Sequence, residues 1–311
     1  MTPGSTSPLR AWLVQKLADS LTTPLPEATR RRVHGAVALP GKATAVVGMR
    51  RSGKTTFLHQ LRRERLERGI ARERLPYLDF EDERLEGITA ADLTVLVDEY
   101  YRRFPALRGR ETVTWCLDEI QEVPGWERFV RRLLDSEKVE VFLSGSSAAL
   151  LSREIATSLR GRAWEVLILP FSFEEYLRHH GITIPNQPSF LPAPERSALE
   201  RAFLDYLTVG GFPEAQELDP ATRHRLLNDY VDVALLRDVV ERYDVTNVAS
   251  LRWLVRHLLG NPAGLFSVEK FHAALRSQGL AVSRDTLHEL LGHLEDAFLV
   301  RTVSVASASE R

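Results

Sequence analysis

The 311-residue chain has a single cysteine, Cys116, which excludes an internal disulfide and fits a reducing compartment. Cys116 falls inside an apolar run, where a small buried residue is the expectation rather than a reactive thiol. No run of about 18 uncharged apolar residues occurs, so no membrane span is expected. Residues 1–8 are Ser/Thr/Pro-rich and lack the charged-then-apolar pattern of a secretion signal, which points to the cytoplasm. There is no excess of either charge: 41 Lys and Arg stand against 42 Asp and Glu. A DNA contact would therefore need a local basic patch. The nine histidines show no H-E-x-x-H or other tight ligand spacing, and the adjacent His179 and His180 read as solvent-exposed.

The remaining composition, 44% hydrophobic and 27% charged, is that of an ordinary globular chain, and the length calls for two or three domains. Gly48-Met49-Arg50-Arg51-Ser52-Gly53-Lys54-Thr55 spell G-x-x-x-x-G-K-[ST], and Thr56 follows. The β-branched run Ala43–Val47 precedes this octet and a helical pattern follows it, the setting a phosphate-binding loop requires. Gly48 and Gly53 let the backbone turn so that successive amides face a polyphosphate. The helix start adds unpaired amides and a positive dipole end. Lys54 would neutralise the β- and γ-phosphates, and the Thr55 hydroxyl would hold Mg²⁺.

Such a loop needs an acidic partner at the end of a buried strand. Val113-Thr114-Trp115-Cys116-Leu117-Asp118-Glu119 supplies one. Asp118 emerges at the carboxyl edge, where open α/β sheets bind ligands, and would orient the metal through water. Glu119 is placed to activate a water for attack on the γ-phosphate. The next strand ends Leu143-Ser144-Gly145-Ser146-Ser147. Ser144, with Ser146 second, is the candidate to touch the attacking water or the γ-phosphate, although small polar runs after strands are also common turns. Arg160 and Arg162 are both candidates to stabilise transition-state charge, within one subunit or across an interface, and oligomerisation stays open.

Along the chain, Leu9–Leu21 has helical spacing, and Arg30-Arg31-Arg32 reads as a solvated surface. Strands are expected at 75–80, 112–117, 139–143 and 163–169, alternating with helices at 55–68, 93–104 and 126–134, which makes a parallel α/β sheet. Pro185, Pro188, Pro192 and Pro194 break regular structure at 181–197, read as a linker or insertion. Beyond it come helices at 199–209, 222–243, 248–259, 267–278 and 283–297, with Ser267 and Ser283 as N-caps. Residues 298–305 alternate like a strand. Three helices and a strand in about 60 residues match a winged helix-turn-helix.

Several short segments occur in one order: 48–56, Tyr77-Leu78-Asp79-Phe80-Glu81-Asp82, 117–121, Gly125-Trp126-Glu127, 143–147, 158–162 and Gly210-Gly211-Phe212-Pro213-Glu214. Together they resemble prokaryotic AAA-type ATP-binding proteins that carry a C-terminal domain of unknown function, often described as nuclease-like. The resemblance spans about 43–305. It implies an α/β fold: a P-loop NTPase parallel sheet flanked by helices (41–180, after an N-terminal helical segment at 1–40), a helical lid (198–245) and a winged helix-turn-helix (246–311). The family usually continues well past the wing, whereas this chain stops at Arg311. It is expected to be a shortened member or a fragment, and no activity of the further domain is carried over.

The leading expectation is a Mg²⁺-dependent ATPase that uses hydrolysis to switch conformation. The alternative is an ATP-held switch with little hydrolysis that docks DNA or a protein partner through its winged helix. Arg276, Arg284, His288 and His293 make 276–293 only modestly basic, which favours packing or protein contact over DNA. ATP is preferred over GTP because no Asn/Thr-Lys-x-Asp base-reading element is present.

Overall fold

The structure, a computed structural model, describes residues 8–145, 159, 161–184 and 191–304. They fall into two compact units, Met1–Leu218 and Asp219–Arg311. The division lies inside the stretch 198–245.

In the first unit five strands form one parallel sheet: β1 (Ala43–Val47), β2 (Tyr77–Asp79), β3 (Val113–Asp118), β4 (Val139–Ser144) and β5 (Ala163–Leu167). Their order is β2-β3-β4-β1-β5. Every residue of β1 and β3 is buried, which is why these two strands read as continuous apolar and β-branched runs instead of alternating ones. Flanking helices are α1 (Pro8–Thr22), α2 (Lys54–Glu67), α3 (Ala90–Arg103), α4 (Trp126–Ser136), α5 (Phe173–His179) and α6 (Ala193–Val209). The face of α2 bearing Phe57, Leu58 and Leu61 meets Val46, Cys116, Phe142, Val166 and Ile168 in one apolar cluster. Cys116 is fully buried, and burial pushes its thiol up to about 12, so it is an inert core residue as expected.

Helix α5 has no counterpart in the sequence reading. Its signal was nevertheless present: Ser172 and Glu175 form a capping box, in which each side chain accepts from the other's backbone amide. Helix α6 begins six residues before its expected start at Leu199, because Pro194 is tolerated in a first turn.

The second unit is helical in its described residues: α7 (Pro220–Val233), continued by a π-helical stretch Ala234–Glu241, then α8 (Val248–Gly260), α9 (Val268–Ser277) and α10 (Arg284–Asp296). Ser267 and Ser283 cap α9 and α10 as anticipated, accepting from the amides of Lys270 and Thr286. Leu235, Val239, Leu251, Leu254, Phe271, Leu287, Leu290 and Leu294 make the core of this unit.

The strand expected at 298–305 is corrected by the structure, since none of the described residues 298–304 is in a strand. Helix α10 is closed by Phe298 at φ 56°, and the Leu299 amide donates to the Leu294 carbonyl. Beyond that turn no strand stands among the described residues of the unit to pair with the alternating pattern, and Val303 lies open to solvent.

Candidate functional site

Strand register decides which residues share the carboxyl edge of the sheet. Asp79 pairs with Asp118, Leu117 with Leu143, and Val46 with Ser144. Reading across the edge from β2 to β1 therefore gives Asp79, Asp118, Ser144 and then Gly48. The loop lies two strand spacings from Asp118, roughly 10 Å of backbone separation, with Ser144 between them. Open parallel sheets place ligands at this edge where the strand order reverses, as it does around β1.

The loop itself is shaped by backbone geometry that its glycines permit. Gly48 has φ 149° and Gly53 φ 99°, and a Cβ on Gly48 would sit 2.0 Å from the Ile168 carbonyl oxygen. Only glycine fits that approach. Arg51 holds φ 61°, a left-handed value for a residue with a side chain. Lys54, buried at the first turn of α2, folds its ammonium back over the loop and donates to the carbonyls of Gly48 (3.1 Å) and Met49 (3.0 Å). The Ser52 hydroxyl is buried inside the loop with no hydrogen-bond partner. Thr55 is exposed at the helix start; Thr56, Met49 and Arg50 are partly exposed.

Opposite the loop, Asp118 is 2% exposed, and both of its carboxylate oxygens accept hydrogen bonds. Ser144 Oγ donates to Oδ1, and the Tyr77 hydroxyl, on β2, donates to Oδ2 at 2.8 Å. Burial and then the charge of Asp118 push the Tyr77 phenol far above its ordinary value, which keeps it a donor. Glu119 leaves the strand with φ 51° and accepts from Gln121 Nε2 at 2.6 Å. A glutamate in left-handed conformation next to a buried aspartate is the kind of strain that accumulates at functional sites.

Arg31 overturns the reading of 30–32 as a solvated surface. Arg30 and Arg32 are exposed as expected, but the Arg31 side chain is only 5% exposed, as is that of its ion-pair partner Glu175 on α5. Its guanidinium donates to Glu175 Oε1 (3.0 Å), to the Ser52 carbonyl (2.6 Å) and to the Leu169 carbonyl. It also lies over the Phe171 ring at 5.0 Å. Burial alone would raise the Glu175 carboxyl. Hydrogen bonds from the amides of Arg32 and Ser172 and from Arg31 outweigh that and hold it below the usual glutamate range. The phosphate loop is thus buttressed from behind by a side chain 21 residues before Ser52.

Not every sequence candidate joins this cluster. Arg162 precedes β5 at the opposite, amino edge of the sheet and pairs there with Asp135 of α4. Arg160 and Ser146 lie outside the described residues. Of the paired histidines, His179 is half-buried with Nδ1 2.7 Å from Thr29 Oγ1, while His180 is exposed as expected.

The edge fits a magnesium-bound triphosphate. The loop offers a glycine-lined cradle, an orphaned hydroxyl at Ser52 and an ammonium folded over the Gly48 and Met49 carbonyls. No group of three or more His, Cys, Asp or Glu side chains among the described residues could hold a metal alone.

Residues 40–177 match the family described as AAA domain, and residues 200–311 match a domain of unknown function (DUF8612). An AAA domain followed by a C-terminal domain of unknown function is the arrangement of the prokaryotic AAA-type proteins that the sequence resembles. It is similar to the uncharacterized protein MJ1544 of Methanocaldococcus jannaschii, with 34% identity over 84% of this chain and 56% of the relative. An uncharacterized protein of Haemophilus influenzae is 32% identical over 82% of this chain and 60% of its own length. The chain thus spans a little over half the length of these curated relatives. Among solved structures it is remotely similar to the Aeropyrum pernix ORC2 protein in ADPNP–ADP complexes (TM-score 0.42, 12% identity, 94% of this chain and 86% of that one). The Aeropyrum pernix ORC1 protein in complex with DNA gives a TM-score of 0.33 at 16% identity, over 96% and 84% of the two chains. No helix among the described residues is long and apolar enough to cross a membrane.

Proposed function

We propose that this protein binds ATP with Mg²⁺ at the carboxyl edge of its sheet and hydrolyses it to switch conformation. The observation that carries the reading is the alignment, on adjacent strands, of Asp118, Ser144 and the loop bearing Lys54. The amides of residues 49–56 would line the phosphates, aided by the positive end of α2. Lys54 exchanges the Gly48 and Met49 carbonyls for β- and γ-phosphate oxygens. Bound magnesium supplies charge neutralisation across those oxygens. Thr55 Oγ1 and the Asp118 carboxylate would hold it. Glu119, one residue beyond the buried strand, takes a proton from the attacking water. Ser144 donates to Asp118 and so acts first on the acidic half of the site, and the γ-phosphate would be its second partner.

The DNA-docking alternative draws less support. The exposed residues of α10 include Arg284, Asp285, His288 and Glu289, whose charges nearly cancel.

The test is phosphate release from ATP and GTP, run beside calorimetric binding. Glu119→Gln is expected to keep ATP affinity while turnover falls by about 10²–10⁴-fold, the usual worth of a general base. Lys54→Ala is expected to lose both. A parent protein that binds no magnesium nucleotide, or a Glu119→Gln variant that turns over at the parent rate, refutes the corresponding part.

A further inference from the structure

We infer that Tyr77 is a positioning residue that ties together the two halves of the magnesium site, holding the Asp118 carboxylate against the helix that carries Thr55. The inference rests on the nucleotide site proposed above and goes beyond it by adding a residue from β2, which no phosphate-loop or acidic motif includes.

Thr55 and Asp118 belong to separate elements, the first turn of α2 and the end of β3. Something must fix the distance between them if both are to meet one cation. The Tyr77 hydroxyl bonds Asp118 Oδ2 at 2.8 Å, while its ring lies against α2. The His59 ring is 4.5 Å from it between centroids, and the Arg62 guanidinium sits 5.4 Å over its face. Thr55, His59 and Arg62 are spaced i, i+4 and i+7, so they share one face of that helix. Arg62 is itself buried and anchored to the Leu75 carbonyl just upstream of β2. One side chain therefore touches the metal-facing strand with its oxygen and the phosphate-loop helix with its ring.

The same hydrogen bond defines how Asp118 can meet the metal. An ionised carboxylate has about four lone-pair directions. Ser144 and Tyr77 each take one, from opposite oxygens. The remaining directions would serve the water ligands of a cation. Partners that orient a metal-binding carboxylate in this way are typically worth about 10–100-fold in metal affinity.

Tyr77→Phe separates the two contributions, because the ring contacts stay and only the oxygen is lost. ATP binding is measured calorimetrically with EDTA and with saturating Mg²⁺, for parent and variant, with thermal midpoints confirming folding. We expect metal-free affinities alike within about twofold and a magnesium-dependent gain at least about tenfold smaller in Tyr77→Phe. An equal gain in both proteins overturns the role of Tyr77 alone. Affinity that falls equally with and without metal also overturns it, since that is the mark of packing. A parent protein with no nucleotide binding in either condition, or none gained from Mg²⁺, removes the proposed site and this inference with it.

Discussion

The two edges of the parallel sheet handle charge differently. At the carboxyl edge charged and polar groups are buried and multiply bonded: Arg31 with Glu175, Asp118 between Tyr77 and Ser144, and Lys54 over the loop carbonyls. At the amino edge Arg162 meets Asp135 in a pair about half exposed on each side, and Lys138 reaches the Arg110 carbonyl in the open. Burying charge costs desolvation that only close, well-made bonds repay, whereas surface pairs are screened and nearly neutral in energy. A chain that gathers the buried Arg31, Glu175, Asp118 and Lys54 around the carboxyl edge has concentrated its electrostatic leverage where a polyanion would sit.

The largest effect expected from breaking this contrast is at Arg31. Arg31→Ala strands the Glu175 carboxylate and frees the loop at Ser52, and breaking a buried pair from one side costs about 3–5 kcal/mol. Urea unfolding should show that loss. Replacing Arg31 and Glu175 together with apolar residues should recover much of it, because no lone charge then remains. A single-variant loss under about 1 kcal/mol would mean that the pair is solvated after all.

A middle-sized effect is expected from pH. His59 beside Tyr77 is lowered from 6.5 to about 4, first by burial and then by Arg62, with Asp118 acting the other way. Its folded value lies below the unfolded one, so between pH 6.5 and 4 the unfolded chain binds the extra proton. Stability from this residue is complete above about pH 6.5 and drains as the pH falls toward 4. Glu175 is also held low, but its contribution is lost only below the ordinary glutamate range, under roughly pH 4.5. Denaturation midpoints at pH 7.5 and 5 should therefore converge in a His59→Gln variant, which sharpens the contrast by isolating one buried group.

The smallest effect is expected at the amino edge. Arg162→Ala should change stability by less than about 1 kcal/mol and leave magnesium-nucleotide affinity unchanged. A large loss of turnover that appears only at high protein concentration would instead point to a role for Arg162 across an interface.

Which parts of this arrangement could be read beforehand follows from sequence distance. The loop 48–55 and the pair Asp118–Glu119 are contiguous motifs, and their strand and helix settings lie within a few residues on either side. Their placement at one edge then follows from parallel strands starting on the same side. The roles of Tyr77 and Arg31 were hidden for the opposite reason. The Tyr77–Asp118 bond joins residues 41 apart, and the Arg31–Glu175 pair joins residues 144 apart. Nothing local to Arg30-Arg31-Arg32 distinguishes the middle arginine from its exposed neighbours. The short helix α5 could have been found, since Ser172 and Glu175 are a local signal, but its significance depends on the distant arginine. The strand expected at 298–305 failed because alternation describes a surface that could pair, and pairing needs a second strand.

By itself the amino-acid sequence determined the elements: which runs are apolar enough to be central strands, where glycines free the backbone, and where capping serines start helices. These are short-range matters of sterics and hydrogen bonding, decided within a turn or a strand. Tertiary structure alone decided which arginines are buried, which tyrosine meets the acidic strand, and which charges the carboxyl edge keeps from water. Those outcomes depend on desolvation and on partners supplied by other elements, and neither exists until the chain has closed around them.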